Sequence, residues 1–125
     1  APTTLRPDLP LTIGEWEEWG NPLADPQVYA AMKAYTPYEN IAARPYPSIL
    51  ATSSLHDTRV FVTEPAKWVA RLRATVTNDP AAAPILLRTE MAAGHGGRSG
   101  RYAAWEQIAW EWAFVLDRLG AAEVS

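Results

Sequence analysis

Two short apolar segments stand out from the polar and proline-rich stretches around them. Residues 48–55 (SILATSSL) lie between Pro47 and the polar pair His56-Asp57, and their length and flanks favour a buried strand over a helix. Residues 84–88 (PILLR) form a second such run, after a loop rich in alanine and proline. The pattern therefore predicts two buried strands, each followed by polar residues.

Helices are predicted from end signals and from apolar spacing. Asp25-Pro26 is typical of an N-cap followed by a first-turn proline, and it predicts a helix to about Tyr35. Glu64-Pro65 predicts the start of a second helix, whose apolar residues recur at helical spacing.

A long final helix is predicted from Ser99, its N-cap, to about Leu119, with Gly120 in the C-cap region. We expect one face of this helix to be core, because apolar side chains recur every three or four residues at Tyr102, Trp105, Ala109, Trp112, Leu116 and Leu119.

The order of these elements predicts the fold class. Alternating helices and strands indicate an α/β fold with parallel strands and right-handed crossovers. Two parallel strands leave two edges and cannot bury both faces well. Six tryptophans in 125 residues also need a substantial partner surface. We therefore interpret residues 1–125 as one segment of a larger α/β domain.

Composition narrows the function classes. The net charge is −3 and no basic run is present, so we expect no nucleic-acid partner. No apolar run approaches the roughly 18 residues that span a bilayer, so we expect no membrane segment. The N-terminus lacks the basic and apolar regions of a signal peptide. The sequence has no cysteine, which excludes disulfides and is compatible with a cytoplasmic location.

An acid and a base follow the two predicted strands. Asp57 comes just after the first strand, and His95 follows the second strand within a glycine-rich loop. Each has an ordinary alternative, a loop carboxylate that caps a turn and a surface histidine on a flexible turn. Their chain order matches that of the acid and the histidine in α/β hydrolases, where the nucleophile precedes both. We interpret His56, which lies beside the acid, as structural.

The nucleophile of such a triad is missing. No G-x-S-x-G elbow occurs, and none of the serines precedes Asp57 in such a turn: they are Ser48, Ser53, Ser54, Ser99 and Ser125. We therefore expect no covalent route in this chain by itself.

Three further side chains are candidates for binding. In an extended segment Glu15 and Glu17 would point the same way and could receive one guanidinium. In a helix they would diverge, and a solvated acidic patch is the simpler alternative. Arg59 can hold a carbonyl oxygen or pair with an acid. The two isolated histidines give no metal-ligand spacing, and no phosphate-binding loop or cofactor motif is present.

Five blocks of sequence resemble the last part of the oligopeptidase B branch of the prolyl oligopeptidase family. In chain order they are GEWEEWGNP (14–22), YAAMKAYTPYENI (29–41), HDTRV (56–60), EPAKWVARLR (64–73) and AGHGGRSGRY (93–102). The resemblance extends over about residues 8–117. It implies the C-terminal portion of an α/β-hydrolase peptidase domain, whose serine elbow and β-propeller would precede residue 1.

The same resemblance assigns roles to individual residues. Asp57 and His95 match the acid and the histidine of the triad. Glu15 and Glu17 match the acidic pair that receives a basic side chain of short peptides cleaved after arginine or lysine. Arg59 matches the residue that holds a substrate carbonyl. We expect the chain to be inactive without the serine-bearing remainder of the peptidase. A non-catalytic module that binds basic peptides or a partner is the alternative.

Overall fold

The computed structural model describes residues 3–121, which fall into two compact units divided between Ala42 and Ala43. The first unit holds a short 3-10 turn, Thr3–Leu5, and two helices, α1 (Thr12–Trp19) and α2 (Pro26–Tyr35). The second unit holds strand β1 (Ile49–Ser54), helix α3 (Thr63–Thr75), strand β2 (Ile85–Glu90) and helix α4 (Arg101–Arg118).

Helix α2 begins and ends where its local signals predict. The Asp25 side chain accepts a hydrogen bond from the backbone N–H of Gln27 at 2.8 Å, as an N-cap does, and Pro26 occupies the first turn. Thr36 ends the helix, and its backbone N–H donates to the Met32 carbonyl at 3.0 Å. The predicted helix over this segment is therefore confirmed.

The first unit is held together by contacts between its 3-10 turn and α1. The buried Thr12 hydroxyl donates to the Thr3 carbonyl at 3.2 Å, and the Trp16 indole N–H donates to the Thr4 carbonyl at 3.1 Å. The segment that carries Glu15 and Glu17 is thus helical, and the extended alternative for it is wrong.

The second unit is built on a parallel pair of strands. β1 pairs with β2 from Ile49 opposite Ile85 to Ser54 opposite Glu90, which confirms the predicted parallel arrangement. Helix α3 connects the two strands in sequence. Its Val69 and Leu72 are 2% and 0% exposed, and they are the most buried large side chains of the described residues.

Helix α4 corrects the sequence analysis at its start. Ser99 does not cap it: Gly100 occupies the N-cap at a φ of +98°, and no side chain bonds to the first turn. The predicted C-terminus is confirmed, since the N–H groups of Gly120 and Ala121 donate to the carbonyls of Asp117 and Leu116 at 3.1 and 2.9 Å, a Schellman arrangement.

The face of α4 predicted to be core is exposed in the described part of the chain. Its exposed fractions run from 43% to 77% at Tyr102, Trp105, Trp112, Leu116 and Leu119, and Ala109 is exposed as well. The half-buried positions form a different stripe, at Ala103, Ala104, Gln107, Glu111 and Phe114. The prediction that this face is core is therefore wrong for the described residues, although the apolar periodicity itself is present.

Candidate active site

The turn after β1 fixes the orientation of Asp57. The backbone N–H of Asp57 donates to the Ser54 carbonyl at 3.3 Å. Its Oδ1 accepts the backbone N–H groups of Arg59 and Val60 at 2.8 and 2.9 Å. An aspartate that bonds the backbone two and three residues ahead stabilises its own turn, so this carboxylate has little rotational freedom.

The loop after β2 presents His95. The N–H of Gly97 donates to the Gly94 carbonyl at 3.0 Å, closing a tight turn around His95 and Gly96. Gly97 has a φ of +74°, which side chains with a Cβ rarely adopt. The loop is also tied to the end of β1, since the N–H of His56 donates to the Ala93 carbonyl at 3.2 Å.

These two loops bring the predicted acid and base into direct contact. The Nδ1 atom of His95 lies 2.8 Å from Oδ2 of Asp57. An ionised carboxylate only accepts hydrogen bonds, so this contact places a proton on Nδ1. The Asp57 side chain is 10% exposed and the His95 side chain is 48% exposed. The imidazole is therefore oriented by a shielded acid while half of its surface remains open.

Competing effects set the protonation of Asp57. Desolvation by itself raises the pKa of a carboxyl group. The N–H of Val60, the His95 ring and the N–H of Arg59 outweigh it, and the pKa of Asp57 is lowered from its ordinary value. The acid is thus ionised at neutral pH, which is the state that holds an imidazole in one tautomer.

A cavity of about 360 Å³ opens beside the pair. Asp57 and His95 line it together with the ends of both loops and with Gln107 of α4. Ser53 and Ser54 also line it, but Ser53 Oγ is 3.0 Å from Thr89 Oγ1 on the neighbouring strand and Ser54 is buried. These serines pack the sheet, and the structure gives no serine within hydrogen-bonding distance of His95 among residues 3–121.

Arg59 is exposed on the turn that Asp57 stabilises. Its backbone N–H is bound by the Asp57 carboxylate, so the position of its Cα is fixed while its long side chain extends into solvent. That placement suits an arginine that meets a ligand, and it equally suits an ordinary surface residue.

The two candidate glutamates lie in the first unit, on α1. Both are exposed, and residues two apart on a helix point about 200° apart. Glu15 lines a cavity of about 310 Å³ with Trp19, Met32 and Tyr35. A carboxylate beside two aromatic rings is a favourable setting for an organic cation. Glu17 does not line this cavity, so the structure does not bring the two carboxylates to one point there.

Sequence analysis missed Gln107 as a residue of the cavity. Its Nε2 donates to Oε1 of Glu111 at 3.3 Å, and its Oε1 lies 3.1 Å from where a Cβ on Gly97 would stand. The signal available was the stripe of small and polar residues on α4, which the stronger aromatic stripe obscured.

Residues 3–121 contain no cluster of three or more His, Cys, Asp or Glu side chains that could hold a metal ion. Within the same residues, every helix is too short or too polar to cross a membrane.

Two parallel strands joined by a helix, with an acid and a histidine meeting past the strand ends, have the arrangement of part of an α/β-hydrolase domain. Comparison with known proteins agrees and is more specific. Residues 2–122 match the prolyl oligopeptidase family, and the chain belongs to that family.

Individual relatives support this assignment over most of the chain. Protease 2 of Moraxella lacunata is 45% identical over 94% of the chain, and dipeptidyl aminopeptidase BI of Pseudoxanthomonas mexicana is 44% identical over 96%. The solved structure of oligopeptidase B from Leishmania major matches 95% of the chain at a TM-score of 0.88 and 43% identity. The chain spans 16% of the length of each of these three proteins. The resemblance drawn from the sequence blocks, and the α/β-hydrolase fold it implied, are confirmed.

Proposed function

We propose that this chain supplies the acid and the base of the active site of a serine oligopeptidase that cleaves short peptides after arginine or lysine. The observation that carries the proposal is the 2.8 Å contact between Asp57 Oδ2 and His95 Nδ1 beside an open cavity. Membership of the prolyl oligopeptidase family supports the reaction class.

The geometry suits general acid–base catalysis. With its Nδ1 proton held by Asp57, His95 can accept the proton of a serine hydroxyl at Nε2 while the serine oxygen attacks the peptide carbonyl. The same proton then passes to the leaving amine as the C–N bond breaks, and water repeats the cycle to release the acyl group. The serine belongs to a part of the peptidase outside this sequence. We therefore propose that the 125-residue chain alone is inactive.

The basic specificity rests on Glu15 and Glu17. The Glu15 cavity, with its two aromatic walls, offers charge and stacking to a guanidinium or an ammonium group. Because the two glutamates diverge on α1, we propose that Glu15 is the principal contact to the basic side chain and Glu17 a secondary one. Arg59 is proposed to bind a substrate carbonyl oxygen.

A reporter assay tests the reaction. We define the complete peptidase as this chain joined to, or assembled with, the part that bears the serine. The complete peptidase should hydrolyse an arginine reporter peptide and react with a serine-directed fluorophosphonate, whereas the isolated chain should do neither. Turnover by the isolated chain that survives repurification would refute its inactivity. Failure of the complete peptidase to react with the fluorophosphonate would refute the serine mechanism.

A second set of reporters tests the specificity. Glu15→Gln should lower kcat/KM for arginine and lysine reporters more than Glu17→Gln does. Neither substitution should change kcat/KM for a neutral reporter. Glu18→Gln, on the same helix, is the matched control for a general loss of negative charge. The two relatives carry different activity names, protease and dipeptidyl aminopeptidase. A reporter with a blocked amino terminus separates internal cleavage from dipeptide release.

The alternative is a module that binds basic peptides without catalysis, for which the Glu15 cavity is the specific observation. In that case a basic peptide should bind the isolated chain, and Glu15→Gln with Glu17→Gln should abolish binding. This chain joined to, or assembled with, the serine-bearing part would then hydrolyse no reporter peptide.

A further inference from the structure

Glu90 occupies the last position of β2, at the base of the loop that carries His95. It stands opposite Ser54 in the sheet register, and its backbone carbonyl accepts the N–H of Leu55 at 2.8 Å. Its side chain is 19% exposed, which is low for a carboxylate at the end of a strand. The residue is therefore fixed by the sheet, and its carboxylate lies close to the catalytic loop.

The two oxygens of this carboxylate bind opposite ends of that loop. Oε1 accepts the backbone N–H of Ala92 at 3.0 Å, three residues before His95. Oε2 lies 3.6 Å from Nε of Arg98, three residues after His95. One carboxylate thus contacts both flanks of a glycine-rich turn.

Arg98 has a second acidic neighbour that provides an internal comparison. The Nη1 atom of Arg98 lies 3.5 Å from Oε2 of Glu106 on α4, but the Glu106 side chain is 72% exposed. Exposed ion pairs contribute little because water screens them. Glu90 is more shielded and also binds a backbone N–H, so it is the stronger anchor of the two.

We infer that Glu90 is a positioning residue that holds His95 in line with Asp57. It acts through the loop and does not touch the substrate. The inference rests on the proposed function, in which small displacements of a catalytic group lower the rate steeply. The Glu90 carboxylate restricts the conformations of the glycine-rich turn at both ends. Less conformational entropy is then lost when the His95 imidazole binds Asp57.

Kinetics of the complete peptidase test the inference, with rates normalised to titrated active sites. Glu90→Gln keeps an acceptor for the Ala92 N–H and loses the ion pair, so kcat should fall about two- to five-fold. Glu90→Ala loses both contacts, and kcat should fall about ten-fold or more. KM should change less than kcat in both variants. Glu106→Gln is the matched control and should stay within about two-fold.

A double-mutant cycle separates positioning from a merely structural role. Asp57→Asn removes the carboxylate that holds the proton on Nδ1 of His95, and without that tautomer the alignment of the imidazole has little value for catalysis. If Glu90 acts by alignment, Glu90→Ala should cost much less in the Asp57→Asn background than in the wild type. Additive losses, or a kcat for Glu90→Ala within two-fold of the wild type, would overturn the inference.

A spectroscopic measurement keeps the inference testable if the protein proves not to be a peptidase. The Nδ1 proton of His95, hydrogen-bonded to a carboxylate, should give a downfield proton resonance. Glu90→Ala should weaken or shift that resonance, and Glu106→Gln should leave it in place. An unchanged resonance in Glu90→Ala would overturn the positioning role, whereas absent hydrolysis with a shifted resonance would refute only the proposed reaction.

Discussion

Replacing Gly97 by alanine should disturb the loop that carries His95 through two effects that can be separated. Gly97 has a φ of +74°, and a Cβ built on it would stand 3.1 Å from Oε1 of Gln107. Its neighbour Gly96 has no positive φ, and no atom lies within 4 Å of its own Cβ position. Adjacent glycines in one turn therefore differ sharply in what a methyl group would meet.

The magnitude follows from the backbone conformation. A residue with a Cβ at positive φ costs about 1–2 kcal/mol. The 3.1 Å approach adds less, because the Gln107 amide is the far end of a flexible side chain, although its bond to Glu111 restrains it. A penalty of this size corresponds to a factor of about 5–30 in the population of the native turn. We expect kcat of the complete peptidase to fall by a factor in that range.

The assay is hydrolysis of an arginine reporter, normalised to active sites, for three variants. Gly97→Ala should show the full loss. Gly97→Ala with Gln107→Ala removes the close approach but keeps the strained φ, so most of the loss should remain. Gly96→Ala adds a methyl group to the same cavity without strain, and its loss should be smaller. A kcat for Gly97→Ala within two-fold of the wild type would refute the argument from strain.

The other predictions concern stability and the acid. Leu72→Ala should lower the free energy of unfolding by about 2–5 kcal/mol in urea titrations, because Leu72 is fully buried under the sheet. Gly14→Ala should raise it by about 0.8–1.0 kcal/mol, since Gly14 lies within α1 and a Cβ there meets nothing within 4 Å; a decrease would contradict this. Asp57→Asn should lower kcat of the complete peptidase about 10⁴-fold, by analogy with serine peptidases. The pKa of Asp57 is lowered in the folded chain. The ionised carboxylate should therefore contribute its full stabilisation above about pH 4–5, and this contribution should decline as the pH falls through the pKa of the folded state. Unfolding measured over a pH series should show a flatter decline in Asp57→Asn.

Elements with local signals were predicted well. The Asp25 cap, the first-turn proline and Thr36 mark the ends of the ten-residue helix α2, and the structure places its ends there. The strands were located by short apolar runs between prolines and polar residues, and each prediction misses both ends of its strand by one or two residues. Such signals are read from neighbours along the chain and need no tertiary information.

The contact between Asp57 and His95 was predictable for a different reason. Parallel strands place their carboxyl ends at one edge of a sheet, so residues that follow two adjacent strands are expected to meet. Asp57 and His95 do meet. Glu90, Arg98 and Gln107 were not singled out, because their contacts depend on the path of the loop after β2. No spacing in the sequence encodes that path.

The exposed face of α4 could not be predicted from the sequence, because which face of a helix is buried depends on tertiary contacts. A helix with an aromatic stripe and a second stripe of mostly small and polar residues would be expected to turn the aromatic stripe inward. The second stripe is the half-buried one instead, and its Gln107, Glu111 and Phe114 line cavities beside the strands. Two contacts of one strand residue accompany this arrangement. Arg88 of β2 stacks over the Trp110 ring at 4.9 Å and lies 3.5 Å from the Gln107 carbonyl. The Gln107 side chain lies beside Gly97 of the His95 turn, and the aromatic stripe is exposed in the described residues. Because the relatives are about six times longer than this chain, the remainder of the peptidase is the proposed cover. Gln107 is then the residue through which α4 reaches the cavity and the turn that carry His95.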